Sequence, residues 1–145
     1  MKVTALLLLS LVLLLSGCST LNTYRSPTAN LDQIQRYFVS HRLADNHHVD
    51  DTIVDYLRSL GFEAAAGPLT MMPQRMEAII TYHDDWAWDF RTYLFQLDLE
   101  IRQAHTNRPL ARGSYRQPSI VPKSPAEVVE KILKPLLQPP EVQPQ

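Results

Sequence analysis

The amino-acid sequence predicts an α+β fold, a two-layer sandwich in which a mixed sheet of about five strands carries two helices on one face. Three patterns lead to this prediction. Apolar residues recur at helical spacing from Val49 to Leu60, they alternate with polar ones from Thr92 to Arg102, and a helix-capping sequence begins at Ser124. With the shorter apolar runs between them, these segments give the element order β-α-β-β-β-β-α.

The first three elements predict a parallel crossover. A first strand is expected over residues 33–43, where β-branched and aromatic residues are frequent. In the helix that follows, Asp50 and Asp51 complement the free N–H groups of the first turn, and Gly61 suits a left-handed C-terminal cap. A short strand over residues 62–66 then completes a strand-helix-strand unit, whose two strands are expected to be parallel.

The remaining strands are expected over residues 76–83, 92–102 and 110–117, with a hairpin loop at 105–109. The strict alternation over 92–102 predicts one buried and one mostly wet face.

The last helix has a clear beginning and a predicted end. Ser124, Pro125 and Glu127 provide an N-cap serine, a proline at the first helical position and a glutamate at the third, which together form a capping box. Pro135 disfavours helical geometry at the residue before it, so the helix is expected to end at Lys134.

The N-terminus predicts a secreted precursor. Lys2 is followed by a leucine-rich run over residues 5–15, which is too short to span a membrane, because that takes about 20 apolar residues. The run leads into the only cysteine of the chain. We therefore expect a signal peptide over residues 1–17.

The residues before this cysteine resemble the bacterial lipobox: Leu15, Ser16, Gly17 and Cys18. The resemblance implies cleavage before Cys18 and attachment of acyl chains, palmitate among them, to its thiol and new amino terminus. Two or three such chains make a durable membrane anchor. Ser19 stands where an Asp would, by the same resemblance, retain the product in the inner membrane, so we expect an outer-membrane protein facing the periplasm. The alternative is an ordinary signal peptide with a chance cysteine.

The composition limits the classes of function. The chain has 14 basic and 15 acidic residues, and loss of Lys2 with the signal peptide makes the net charge −2, which argues against a nucleic-acid partner. Lipidation of Cys18 leaves no thiol for disulfide or redox chemistry, and no cofactor is expected. The predicted organisation after the signal peptide is a lipidated flexible tether over 18–30, a globular domain over 31–137 and a proline-rich disordered tail over 138–145.

Residues 83–89 hold the richest chemistry in the chain, with one imidazole, three carboxylates and two indoles. We interpret this segment as a corner between two strands. Trp86 and Trp88 share a parity, so with Asp89 they are a candidate surface for an envelope protein or a glycan.

A metal site is the alternative interpretation of this segment. Its ligands would be His83, Asp84 and Asp85, which supply nitrogen and oxygen donors. Adjacent residues of an extended chain point to opposite faces, so such a site needs a turn at this point.

A second polar cluster lies before the first helix, and we interpret it as a loop with helix-capping aspartates because its histidines lack the spacing that places two of them on one helical face. No nucleophile motif or phosphate-binding loop is present. The members of the cluster are His41, Asp45, His47, His48, Asp50 and Asp51.

Four stretches, over residues 49–53, 61–64, 82–89 and 124–129, resemble proteobacterial outer-membrane lipoproteins with a small α/β periplasmic domain. The resemblance implies the fold and the location and carries no catalytic residues. We therefore expect a non-enzymatic binding or scaffolding module anchored through Cys18. A metal-binding or metal-dependent hydrolytic lipoprotein is the alternative, and a purely structural role is the third hypothesis.

Overall fold

Six strands form one open mixed sheet in the computed structural model, which describes residues 18–118 and 121–138. Two helices pack on one face of this sheet, so the predicted α+β class is confirmed, with one strand more than expected. The elements are β1 (Thr20–Arg25), β2 (Arg36–Ser40), α1 (Val49–Ser59), β3 (Glu63–Gly67), β4 (Ala78–Trp88), β5 (Thr92–Gln103), β6 (Pro109–Arg116) and α2 (Pro125–Leu137), with short 3-10 turns at Leu31–Gln33 and Leu69–Met71.

The strand order is β1-β6-β5-β4-β2-β3. β2 pairs in parallel with β3, as the predicted crossover requires, and also with β4, whereas the other pairs are antiparallel. As a result β2, β3, β4 and β6 all finish at the same end of the sheet, where β1 and β5 begin. We call this the upper end.

The core lies between the sheet and the two helices. Alternate residues of the strands point toward the helices, as the period-2 pattern requires, and both helices present their apolar stripes to them. Each fully buried leucine or isoleucine contributes about 1.5–3 kcal/mol, so this layer provides the main stabilisation. Its fully buried members include Ile53, Leu57, Ile80, Leu97, Leu99, Ile101, Ile132 and Leu133.

Gly113 allows α2 to approach β6 closely. A Cβ at this position would clash with the side chain of Ile132 and crowd Leu136. A glycine in a strand interior often marks such a close approach.

The predicted tether is wrong, because Thr20–Arg25 forms β1 and pairs with β6 along its whole length. This pairing satisfies the backbone groups of β6, which would otherwise be an exposed edge. Most β1 side chains are exposed, so the segment shows no apolar periodicity in the sequence. The folded domain therefore begins near Thr20 and not at Leu31.

The predicted corner at residues 83–89 is also wrong. β4 continues through Trp88, and the turn to β5 occupies only residues 89–91. This part of the strand was not predicted because its residues are polar: Asp84 is buried with polar partners in the fold, whereas His83 and Asp85 lie exposed on the other face of the sheet.

The last helix passes through Pro135 and ends at Leu137, beyond the predicted end at Lys134. A proline inside a helix costs about 3 kcal/mol. Leu136 and Leu137 are both buried, and each contributes about 1.5–3 kcal/mol, which offsets that cost. The capping box at Ser124 and Glu127 is confirmed. The predicted signal peptide and residues 139–145 of the predicted tail lie outside the described residues.

Candidate functional site

The segment of residues 83–89 is part of β4 up to Trp88, so its side chains lie alternately on the two faces of the sheet. Asp84 pairs with the buried core residue Leu97 and points toward the helices, whereas His83 and Asp85 are exposed on the opposite, open face. A β-bulge follows, because Asp85 pairs with Gln96 whereas Trp86 pairs with Leu94, so that one residue of β5 is skipped. The bulge gives β5 one additional residue, Phe95.

The carboxylate of Asp84 is fully engaged. Its side chain is only 5% exposed, one oxygen accepts a hydrogen bond from the Arg42 guanidinium, and the other accepts one from the Trp86 indole N–H at 2.8 Å. Arg42 comes from the loop between β2 and α1, so this pair joins that loop to β4.

A second carboxylate, that of Asp45, closes the start of α1. It accepts hydrogen bonds from the Tyr82 hydroxyl at 2.7 Å and from the backbone N–H groups of His47 at 2.8 Å, Val49 at 2.8 Å and Asp50 at 3.4 Å. Burial alone would raise the pKa of Asp45, but these four hydrogen bonds hold the pKa below its ordinary value. Burial and the hydrogen bond to Asp45 raise the pKa of Tyr82.

Aromatic contacts complete this assembly. The His47 ring stacks on Trp86 with centroids 3.7 Å apart, and the Arg42 guanidinium lies 5.8 Å from the centre of the Tyr82 ring. We call the set the polar network, and its members are Arg42, Asp45, His47, Tyr82, Asp84 and Trp86. Beside it, the His41 ring lies 2.6 Å from a buried carboxylate oxygen of Asp50.

The predicted partner surface is split by this arrangement. Trp86 is partly buried against the core, whereas Trp88 is 73% exposed at the end of β4. Asp89 is exposed in the turn, with its backbone N–H bonded to the carbonyl of Arg91. Phe90 is 93% exposed, its ring centre lies 6.2 Å from that of Trp88, and its φ of 57° lies in the left-handed region.

The alternative metal site does not assemble. A nitrogen of His83 lies 3.4 Å from an oxygen of Asp85 on the open face, but Asp84 points to the other side of the sheet. The structure instead brings His48, Asp50 and Asp51 together, with one potential ligand atom of each within 4.8 Å of the others. Asp50 already contacts His41 and accepts the N–H of Asp51, and acidic residues are common at the start of a helix.

An open-face cleft is a feature that the sequence did not reveal. It has a volume of about 450 Å³ between β1, β6 and β5, and its lining includes Tyr24, Asp98, Glu100 and Arg112. The Arg112 guanidinium lies 5.3 Å from the centre of the Tyr24 ring. The sequence did not predict the cleft because one of its walls is β1, which was expected to be a flexible tether.

The anchor predicted at Cys18 lies at the first described residue, where the side chain is exposed. The lipobox positions Leu15, Ser16 and Gly17 fall outside the described part of the chain. Over residues 18–118 and 121–138, no helix is long and apolar enough to cross a membrane.

No protein-family model and no curated protein matches the sequence. Among solved structures, the chain is similar to PelC from Paraburkholderia phytofirmans. One PelC dodecamer, which carries a single leucine-to-methionine substitution, aligns with a TM-score of 0.63 and 13% identity over 83% of this chain and 98% of PelC. A second PelC dodecamer gives a TM-score of 0.63 and 14% identity over 83% and 99% of the two chains.

A PDZ domain protein from Parabacteroides distasonis is a further structural relative. It aligns with a TM-score of 0.51 and 10% identity over 93% of this chain and 39% of its own. At these identities, the similarities establish the fold alone.

We predict that Asp45→Asn lowers the free energy of unfolding at pH 7 by about 2 kcal/mol, because at least one buried N–H or O–H donor loses its acceptor. The folded-state pKa of Asp45 is lowered, so its charged form stabilises the fold fully above the unfolded value of about 4. This contribution is lost as the pH falls through the folded-state pKa. Urea unfolding at pH 7 and pH 3 should therefore show a difference between wild type and variant that shrinks in acid.

Exposed Asp85→Asn is the matched control for Asp45→Asn, and it should leave stability nearly unchanged at both pH values. Equal stabilities of wild type and Asp45→Asn at pH 7 would contradict the role assigned to the network.

A second prediction compares the contribution of Asp84 to stability with the contributions of His83 and Asp85. Asp84→Ala should lower the free energy of unfolding by about 2–3 kcal/mol, because it leaves Arg42 and the Trp86 N–H without their acceptor. His83→Ala and Asp85→Ala should each change it by less than about 0.5 kcal/mol, as is usual for exposed side chains.

The same three variants test the metal hypothesis when melting temperature is measured with and without zinc. We expect no zinc-dependent shift in the wild-type domain. A stabilisation by zinc that all three substitutions abolish would restore the metal site and overturn this assignment.

Proposed function

We propose that this chain is a lipid-anchored, non-enzymatic binding or scaffolding module at the outer membrane, facing the periplasm. The proposal rests on one observation: the fold itself occupies the buried carboxylates that could otherwise take part in catalysis. The carboxylates of Asp45 and Asp84 are saturated by contacts within the fold. In contrast, the cleft on the open face and the aromatic side chains of Trp88 and Phe90 stay accessible. The lipobox-like sequence ending at Cys18 supports the membrane anchor.

The saturation of these carboxylates argues for a structural role. A general acid or base must have a lone pair or proton directed at the substrate. Both oxygens of Asp84 and both oxygens of Asp45 accept hydrogen bonds from the protein itself. Directing either group at a substrate would require breaking the contacts that hold the β2–α1 loop.

We assign binding of an envelope protein or glycan to the open-face cleft. Its Tyr24 ring offers an aromatic surface, and Asp98, Glu100 and Arg112 offer hydrogen-bonding groups of both charges around it. Aromatic and arginine side chains are frequent anchors of binding surfaces. The PelC proteins that share this fold were solved as dodecamers, so a second copy of the chain is one form that scaffolding can take.

The metal-dependent alternative has less support. Its three predicted ligands lie on two faces of one strand, and Asp84 among them is held by Arg42 and Trp86. The partner surface predicted from the sequence consisted of Trp86, Trp88 and Asp89. Only Trp88 and Asp89 remain candidates for it, because Trp86 belongs to the polar network.

The anchor is tested by metabolic labelling with radioactive palmitate in the producing bacterium. We expect label on the wild-type chain and none on Cys18→Ala, which should accumulate as an uncut precursor. Ser19→Asp is the control, because it should keep the label while moving the protein to the inner-membrane fraction. A labelled Cys18→Ala protein would contradict the proposal.

The cleft is tested by site-specific photocrosslinking in intact cells. A photoreactive phenylalanine replacing Tyr24 should give discrete crosslinked bands that Arg112→Ala weakens at least several-fold, because a residue lining the cleft is lost. The same probe replacing Asp55, on the exposed side of α1, is the matched control and should give none of these bands. Identical bands from the two positions, or no bands from position 24, would argue against the cleft.

A further inference from the structure

The exposed apolar side chains of the domain are concentrated at the upper end of the sheet. Among the described residues, eight large apolar side chains are exposed, and only Leu21 and Tyr24 of these lie within β1. The other six lie in or beside the loops that follow β2, β3, β4 and β6. We call these six residues the apolar rim: Leu43, Leu69, Met71, Trp88, Phe90 and Val121.

The register of the sheet places Cys18 at the same end. Thr20 pairs with Arg116, Arg116 pairs with Gln96, and Gln96 pairs with Asp85. β1 begins at the upper end, so Cys18 lies beyond Thr20 in the direction of Trp88. Three strand spacings separate β1 from β4, which is about 15 Å across the sheet.

Almost no free chain separates Cys18 from the sheet. Ser19 is the single residue between Cys18 and β1, so an extended chain can span only about 7 Å from Cys18 to Thr20. The polar headgroup layer of each leaflet is roughly 5–7 Å thick. Acyl chains on Cys18 would therefore hold the upper end of the sheet against the headgroups.

We propose that the apolar rim inserts into the interfacial layer of the membrane that holds Cys18, so that the domain stands on its upper end with fixed orientation. This inference rests on the proposed lipidation of Cys18. In this proposal, the exposed side chain of Trp88 binds the lipid surface.

The form of the rim fits a lipid surface. Its members come from four separate loops and protrude singly, with Leu43 at 99%, Phe90 at 93% and Val121 at 82% exposure. Protruding apolar side chains enter the headgroup boundary to a depth of about 5–10 Å, and tryptophan is enriched there.

Phe90 supports the same partner. It occupies a left-handed backbone conformation that bulky residues rarely adopt, and the fold does not bury its ring. The exposed Arg91 beside it is placed to meet lipid phosphate groups.

The test uses the full mature lipoprotein in vesicles of phosphatidylethanolamine and phosphatidylglycerol, with or without bromine on the acyl chains. Bromine quenches nearby indoles, and the chain has two tryptophans, Trp86 and Trp88. We expect brominated vesicles to lower wild-type emission by up to roughly half, because one of the two indoles enters the interface. Trp88→Phe should lose most of this quenching.

A matched control moves the indole to the other end of the sheet. Arg108→Trp in the Trp88→Phe background places it in the exposed β5–β6 loop, where brominated lipid should leave its emission unchanged. Quenching of this variant equal to that of wild type would overturn the orientation.

The remaining outcomes separate the two proposals. A chain that carries lipid and sediments with vesicles, but whose Trp88 is not quenched, overturns the rim and leaves the anchor intact. If Trp88 is unquenched by bromine yet shielded from acrylamide, a second copy or another protein covers the rim, which also overturns it. A chain without lipid on Cys18 overturns both.

Discussion

The carboxylate of Asp45 is the point at which three parts of the fold meet. The chain leaves β2, turns through the loop of residues 41–48 and enters α1, whose first N–H groups have no partner within the helix. The residue at the N-cap, His48, has a left-handed backbone and makes no side-chain capping bond. Asp45 supplies the missing acceptor from inside the loop, and its hydrogen bond from Tyr82 fixes both loop and helix to β4.

The rest of the upper end depends on this constraint. With the loop held by Asp45, Arg42 reaches Asp84 and the His47 ring lies flat on Trp86. These contacts pair the polar groups of Asp84 and Trp86 where they are buried. An unpaired charge in the same place would destabilise the fold. The same contacts leave Trp88 beyond the last network residue of β4, where it is free to meet a surface outside the domain.

β1 changes what an acyl anchor on Cys18 would do. A flexible tether of a dozen residues would let the domain diffuse at a distance from the membrane and sample every orientation. Because β1 is paired with β6 from Thr20 onward, an anchor at Cys18 would instead be attached directly to the sheet and would present one end of the domain to the lipid. The open-face cleft, one wall of which is β1, would then face sideways along the membrane.

The sequence by itself determined the parts of the fold that rest on local chemistry. Apolar spacing is enough to define α1 and β5, and the hydrogen bonds of a capping box define the start of α2, because each depends on residues a few positions apart. Tertiary structure decided the rest. β1 exists because β6 has an open edge, β4 extends to Trp88 because Asp84 finds Arg42, and α2 passes Pro135 because Leu136 and Leu137 are buried. Each of these depends on a partner distant in sequence, so no local pattern could signal it. The placement of Cys18 and the apolar rim at the same end of the sheet has the same origin.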